Sequence, residues 1–121
     1  MTIYAMSRTR HAPMWIGFRA RGIPIISTWM DEENDNLTVL WSRIVAEMRQ
    51  ARQAILYIEP LDFPLKGALV EVGIALAFNV PVSVVSPGIE LDERYRPLGS
   101  WVTHPLVSFY DTLDTAFGWP R

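Results

Sequence analysis

The sequence predicts an α/β fold in which helices cover both faces of a parallel sheet. Short runs with the character of β-strands alternate along the chain with longer runs of helical periodicity, which is the pattern of such folds. The 121 residues are enough for one hydrophobic core. We therefore expect a single domain over residues 1–121, built as a flavodoxin- or Rossmann-like three-layer sandwich. Its five-stranded parallel sheet should have the strand order 2-1-3-4-5.

The individual elements follow from periodicity and from the residues that end each run. The predicted strands are apolar runs with few polar interruptions at residues 3–6, 24–28, 54–58, 80–85 and 106–109. The predicted helices are residues 13–21, 37–52, 66–79 and 111–117. Gly22 and Pro24 end the first helix, and Asn34, Asp35 and Asn36 are the candidate N-caps of the second.

Composition excludes several classes of protein. The formal net charge is −2, which does not fit an electrostatic binder of duplex nucleic acid. The chain has no Cys and only 2 His, so neither disulfides, a thiol nucleophile nor a multi-histidine metal site is expected. We predict no metal and no organic cofactor. No apolar run reaches the about 18 residues that span a bilayer, so a soluble cytoplasmic protein without membrane contact is the expectation.

Glu71 is the most informative residue of the sequence. It is the only charged residue in the run from Gly67 to Phe78, which is otherwise apolar. A carboxylate in such a helix costs several kcal/mol of desolvation unless it is paired or solvated. Glu71 is therefore the candidate reacting group. The alternative is a carboxylate that reaches the rim of the helix and serves only the local structure.

The predicted strand order also predicts where a ligand binds. The direction of winding reverses between the first and third strands, and ligands of open α/β sheets bind outside the carboxyl ends of the strands at this point. The loops at residues 7–12 and 59–66 should line that crevice. Glu71 lies one to two turns into the helix that leaves the second loop, which places it close to the same crevice.

The first loop combines groups that suit an anion. Ser7, Arg8 and His11 stand before a helix N-terminus, where free N–H groups favour a phosphate or carboxylate. The alternatives are solvated arginines and a histidine that caps or packs. In the second loop, Asp62 could reach the crevice, and Gly67 would let the backbone approach a ligand closely.

Two further candidates follow the second predicted strand. Trp29 could stack on a base, although a packing role is also open. Asp31, with Glu32 beside it, could face the crevice, or the segment could be a solvated acidic loop. The sequence contains neither a Walker A loop nor Gly-x-Gly-x-x-Gly, and none of its serines stands in a nucleophile elbow.

Several of these residues together resemble the nucleoside 2-deoxyribosyltransferase superfamily, which includes small 2′-deoxynucleoside 5′-phosphate N-hydrolases. The resemblance rests on Ile3-Tyr4, on Ser7-Arg8, on the run Pro64-x-x-Gly67-x-x-x-Glu71-x-Gly73-x-Ala75 and on Pro81-Val82. It implies cleavage or transfer of an N-glycosidic bond in a nucleoside or nucleoside 5′-monophosphate. In that family the matching Glu is the nucleophile and forms a glycosyl-enzyme ester. Substrate contacts would then fall on Tyr4, Ser7 and Arg8.

The sequence also departs from the family pattern. Leu65 stands where the family has Asp or Ser, and Ala5-Met6-Ser7 replaces its Gly-Pro or Gly-Ser turn. No carboxylate matches the second acid, for which Glu47, Asp62 and Asp31 are substitutes. A nucleotide- or sugar-binding module without turnover is therefore the alternative function.

The C-terminal segment is rich in aromatic residues, and members of the family commonly complete their sites with a neighbouring subunit. We expect a homodimer or a larger homo-oligomer. The alternative is that these rings close the domain's own core. The residues are Trp101, Phe109, Tyr110, Phe117 and Trp119.

Overall fold

The computed structural model describes residues 1–31 and 36–118. Four parallel strands form one sheet in the order β1-β2-β3-β4. The strands are β1 (Ile3–Met6), β2 (Gln53–Tyr57), β3 (Val82–Val85) and β4 (Val107–Phe109). The helices are α1 (Ala12–Ala20), α2 (Leu37–Gln50), α3 (Gly67–Ala77) and α4 (Leu113–Phe117). Of the residues singled out above, Glu32, Asn34, Asp35 and Trp119 lie outside the described part of the chain.

The register of β1 and β2 shows how the helices are divided between the two faces of the sheet. Tyr4 points toward Glu71 of α3, since each of these side chains shifts the pKa of the other. Its neighbour Ile3 pairs with Gln53, whose side-chain amide donates to the carbonyl of Ala116 in α4 at 3.0 Å. Adjacent residues of a strand point to opposite faces. Helices α3 and α4 therefore cover opposite faces, and the α/β class is confirmed.

The predicted five-stranded sheet is wrong, and with it the order 2-1-3-4-5. Residues 24–28 contribute a single bridge, between Ile3 and Ile25, on the outer side of β1. Beyond that bridge, side chains replace the ladder: Ala5 N–H donates to Ser27 Oγ at 3.0 Å, and the indole of Trp29 donates to Ala5 O at 2.7 Å. The edge of β1 is thus satisfied without a fifth strand.

Helix α2 begins at the predicted N-cap Asn36, whose side chain accepts a hydrogen bond from Val39 N–H at 3.2 Å. Its buried side chains, Ile44 and Met48, face the core. On the other face of the sheet, Phe18 of α1 packs edge-on against Phe117 of α4 with ring centroids 4.9 Å apart. None of the described helices is long and apolar enough to span a membrane.

Candidate active site

A pocket of about 350 Å³ opens beside the carboxyl end of β1, between the loop after that strand, the N-terminal half of α3 and one side of α2. Both loops that the sequence places at a crevice, residues 7–12 and 59–66, contribute to its lining. The first loop and α3 contribute most of the polar groups, and α2 contributes apolar ones. The lining residues are Ser7, Arg8, Thr9, Trp29, Leu37, Leu40, Trp41, Ile44, Lys66, Gly67, Ala68 and Glu71.

Glu71 lies in the second turn of α3 and contributes to the pocket from its inner side. The residue is 8% exposed, and its Oε2 atom has no hydrogen-bond partner among the described residues. Burial raises the pKa of Glu71 to about 8, and the negative charge of Glu47 adds to this shift, while the Tyr4 hydroxyl opposes it. The carboxyl is therefore largely protonated at neutral pH in the free protein.

Tyr4 lies beneath the pocket rather than in its lining. Its side chain is fully buried on β1, and its hydroxyl oxygen, like Glu71 Oε2, lacks a partner in full hydrogen-bonding geometry within the described chain. Burial raises the pKa of Tyr4 well above its usual range, and the nearby charges of Glu71 and Glu47 raise it further. Tyr4 is therefore a neutral phenol placed to act on the Glu71 carboxylate.

The rim of the pocket beside α3 is cationic. Arg8 and Lys66 both line it, and Thr9 adds a hydroxyl. One nitrogen of the Arg8 guanidinium donates to Pro64 O at 3.1 Å, which leaves further donors of that group for a ligand. The N-terminus of α3 has no side-chain cap and no acidic residue in its first turn. This arrangement favours an anion at the rim.

Ser7 is held by its neighbours. It is buried, accepts a hydrogen bond from the indole of Trp15 at 2.9 Å and donates to Arg8 O at 2.9 Å. Its hydroxyl shapes the loop beside the pocket, and a ligand can use it only as a further acceptor or after it turns.

Two indoles form the aromatic part of the wall. Trp29 is buried and fixed by its bond to Ala5 O, and Trp41 of α2 lies opposite Gly67. A Cβ atom added to Gly67 would be in ordinary van der Waals contact with the Trp41 ring, at 3.8 Å, so this indole lies over the first residue of α3. Leu40 and Ile44 continue the same wall. Such a surface suits the flat apolar face of a base.

The structure places His11 and Asp62 outside the pocket lining and against each other. His11 Nε2 lies 2.8 Å from Asp62 Oδ2, and the Arg10 guanidinium donates to Asp62 Oδ1 at 2.6 Å. Burial alone would raise the pKa of Asp62. The N–H of Glu59, the Arg10 guanidinium and the His11 ring outweigh it and hold the pKa below its usual range. Asp62 is an ionised carboxylate engaged within the protein.

The other two substitutes for a second acid are also engaged. Glu47 accepts from both the N–H and the hydroxyl of Thr28, at 3.1 and 2.5 Å. Asp31 forms a two-point ion pair with Arg19, which lowers the pKa of Asp31 through hydrogen bonding. Neither residue lines the pocket. Glu71 is therefore the only carboxylate among the described lining residues.

Sequence reasoning assigned Ser7, Arg8, Trp29, Gly67 and Glu71 to the site, and the structure brings these five to one pocket. It did not single out the other seven lining residues, although Thr9 and Lys66 lie in the two loops that it places at the crevice. Trp41 follows the helical spacing of apolar residues within 37–52, which predicts packing, and Thr9 and Lys66 each adjoin a residue that was singled out. The signal for Lys66 was its place directly before Gly67, where a cation meets a helix N-terminus.

The aromatic residues of the C-terminal segment are divided between surface and core. Phe117 is buried and packs against Trp15 and Phe18, so it closes the domain's own core. Phe109 and Tyr110 are exposed. The homo-oligomer stays a prediction.

No group of three or more metal-binding side chains comes together within residues 1–31 and 36–118.

Fold and pocket together define an α/β protein whose parallel sheet carries a carboxyl-containing pocket at the carboxyl end of β1. A similar solved structure is the CMP N-glycosidase BcmB of Clostridium botulinum, with a TM-score of 0.58 and 9% sequence identity. The match covers 98% of this chain and 96% of that one. That protein has the nucleoside 2-deoxyribosyltransferase-like fold, and at this identity the likeness shows the fold alone. No family model and no curated protein matches the sequence.

Proposed function

We propose that this protein cleaves the N-glycosidic bond of a nucleoside 5′-monophosphate, with Glu71 as the nucleophile. The observation that carries the proposal is the buried carboxyl of Glu71, with one oxygen unpartnered, in a pocket that has a cationic rim and an aromatic wall. The fold shared with a CMP N-glycosidase supports the same class of reaction. A nucleotide has the three parts that such a pocket would bind: a phosphate, a sugar and a flat base.

The phosphate would lie at the rim. Arg8 and Lys66 supply positive charge there, and the uncapped N-terminus of α3 supplies N–H donors. The base would lie against the indoles of Trp29 and Trp41. The sugar would then lie between these two parts, beside Glu71.

The reaction would proceed in two steps. A Glu71 carboxylate oxygen forms a bond to the anomeric carbon while the bond to the base nitrogen breaks, and the departing base takes its proton from water. Water then attacks the anomeric carbon of the ester, loses a proton to the hydroxide left in the first step, releases the Glu71 carboxylate and leaves a ribose-type 5-phosphate. The hydroxyl of Tyr4 would stabilise the Glu71 carboxylate before the first step and after the second. Only the ionised form of Glu71 can begin the reaction.

One observation favours a second candidate, a nucleotide-binding module without turnover. Asp31, Glu47 and Asp62 are engaged by protein partners, so the described pocket offers no second carboxylic acid to protonate the leaving base. A protein that only binds would need no such acid.

Free-base release separates the two functions. A panel of nucleosides and their 5′-monophosphates is incubated with the wild type, with Glu71→Gln and with the exposed control Glu93→Gln, and the free bases are resolved by chromatography. We expect release by the wild type and the control, and a loss of at least about a thousandfold in Glu71→Gln. Tight binding of a nucleotide without any release would favour the binding module. Full release by Glu71→Gln would contradict the role of Glu71.

A further inference from the structure

The two loops that follow β1 and β2 are joined by a cluster of charged side chains beside the pocket. Asp62 is its centre: its side chain is fully buried and accepts hydrogen bonds from Arg10, from His11 and from the backbone N–H of Glu59. Because an ionised carboxylate can only accept, Nε2 of His11 must carry the hydrogen. The proposed reaction uses none of these residues directly.

The cluster continues to the surface. The Arg10 guanidinium also donates to Glu59 Oε1 at 2.8 Å, and the Tyr57 hydroxyl donates to Glu59 Oε2 at 2.5 Å. Hydrogen bonding to Tyr57 is the main reason that the pKa of Glu59 lies below its usual value. His11 packs edge-on against the Tyr57 ring, with centroids 5.0 Å apart. The contacts therefore tie the first loop to both the second loop and the end of β2.

The pocket lies on the other side of the same short segment. A 3-10 turn spans Thr9–His11; Arg8 and Thr9 line the pocket, while Arg10 and His11 turn to Asp62. The contacts that hold Arg10 and His11 therefore also hold Arg8 and Thr9, because a single peptide unit joins Thr9 to Arg10. The bond from Arg8 to Pro64 O adds a second tie between the two loops, closer to the pocket.

We propose that Asp62 is a positioning residue that sets the affinity of the pocket for a phosphate by holding Arg10 and His11, so that Arg8 and Thr9 face the pocket. The proposal rests on the proposed function, because it assigns the phosphate to that rim. Asp62 touches neither the phosphate nor the reacting atoms. Its effect reaches the ligand through the turn at Thr9–His11 and through the Arg8 guanidinium.

Binding to a chain that cannot turn over tests this role. Calorimetry on Glu71→Gln measures the Kd of cytidine 5′-monophosphate and of cytidine, alone and combined with Asp62→Asn or Arg10→Gln. Arg10 is half exposed, so its replacement tests the cluster even if Asp62→Asn fails to fold. Asp92→Asn is the matched control. Like Asp62, Asp92 accepts hydrogen bonds from the backbone and from an arginine, but it lies in an exposed loop after β3 that contributes nothing to the pocket.

We expect Asp62→Asn and Arg10→Gln to raise the Kd of the nucleotide about tenfold, the size of one lost charge-assisted hydrogen bond, and to change the Kd of cytidine less than about twofold. Asp92→Asn should change neither Kd. In an Arg8→Ala background the effect of Asp62→Asn should largely disappear, because Asp62 acts through that guanidinium.

Equal weakening of nucleotide and nucleoside, unchanged affinities, or an effect that adds fully to that of Arg8→Ala would each overturn the positioning role. So would a parent chain that binds the nucleotide no better than cytidine. None of these results decides whether Glu71 is a nucleophile. Base release by the Glu71→Gln parent would overturn the proposed function and leave the binding comparison intact.

Discussion

The indole N–H of Trp29 donates to the backbone carbonyl of Ala5 at 2.7 Å, and the same indole lines the pocket. One side chain thus ends the sheet and forms part of the site. The indole N–H takes the place of the backbone N–H that a fifth strand would have donated to Ala5 O. The edge of β1 and the wall of the pocket are therefore linked through one residue.

Trp29→Phe should destabilise the protein by about 1–3 kcal/mol, because the Ala5 carbonyl loses its donor in a buried place. Urea unfolding followed by circular dichroism measures the change. Trp101→Phe is the control: its indole also donates to a carbonyl, that of Leu98 at 2.9 Å, but in a partly buried loop that water can reach. Equal losses of unfolding free energy in the two variants would show that the hydrogen bond to Ala5 O stabilises the protein no more than the one to Leu98 O.

Most of the fold could be predicted because its signals are local. β1 (Ile3–Met6) agrees at both ends with the apolar run, and the helices agree within two residues because periodicity and an N-cap such as Asn36 mark them. Residues 24–28 did not become a strand, because the N–H of Ala5 is bound by Ser27 of that segment and the carbonyl of Ala5 by Trp29 just after it. A local sequence pattern does not show that side chains will replace the backbone hydrogen bonds of a strand.

The site was predictable to a similar degree. Glu71 was identified because a lone charge in an apolar helix is visible in the sequence. Trp41 was not, since its place on the pocket wall depends on how α2 lies over Gly67. The engagement of Asp62 by Arg10 also depends on two loops that are 52 residues apart in the chain.

Glu71→Gln should stabilise the protein at neutral and alkaline pH. The pKa of Glu71 is 4.5 as an ordinary carboxyl and about 8 in the folded state, so between these values the unfolded chain loses a proton that the folded chain keeps. Stability therefore falls as pH rises through this range. At pH 7 the variant should be more stable by on the order of 3 kcal/mol, and near pH 4 the difference should vanish.

Denaturant unfolding at several pH values measures this difference, with the exposed Glu93→Gln as the control. A gap between wild type and Glu71→Gln that is the same at pH 4 and pH 8 would show that Glu71 is not buried as a neutral carboxyl.

The rate of base release should rise with pH. Because the nucleophile must be ionised and the pKa of Glu71 is about 8, kcat/KM should increase from pH 6 and level off above pH 8. Initial rates at substrate concentrations far below KM measure it. If kcat/KM stays constant from pH 6 to pH 9, or falls, then ionisation of Glu71 in the free protein does not control the rate.

Trp41→Ala should raise KM for a nucleoside monophosphate about tenfold, because stacking of a base on an aromatic ring contributes about 1–3 kcal/mol. Trp41→Phe should keep part of the affinity, since a smaller ring remains. Tyr95→Ala, which removes an exposed ring outside the pocket lining, is the control. Both Trp41 variants need a folding check, because this indole is partly buried against the core. An unchanged KM in folded Trp41→Ala would place the base elsewhere.

Lys66→Met should separate nucleotides from nucleosides. Lys66 is exposed, lies at the rim of the pocket and directly precedes the uncapped N-terminus of α3, so removal of its charge should weaken binding of a phosphate with little effect on the fold. KM for a 5′-monophosphate should rise about tenfold at low salt, and less at high salt, because screening weakens the interaction in both proteins. KM for the matching nucleoside should stay within about twofold.

Arg94→Met, which removes an exposed charge outside the pocket lining, controls for the change in net charge. If Lys66→Met weakens both substrates equally, the phosphate does not lie at this rim; if it weakens only the nucleotide, the rim is the part of the pocket that distinguishes the two.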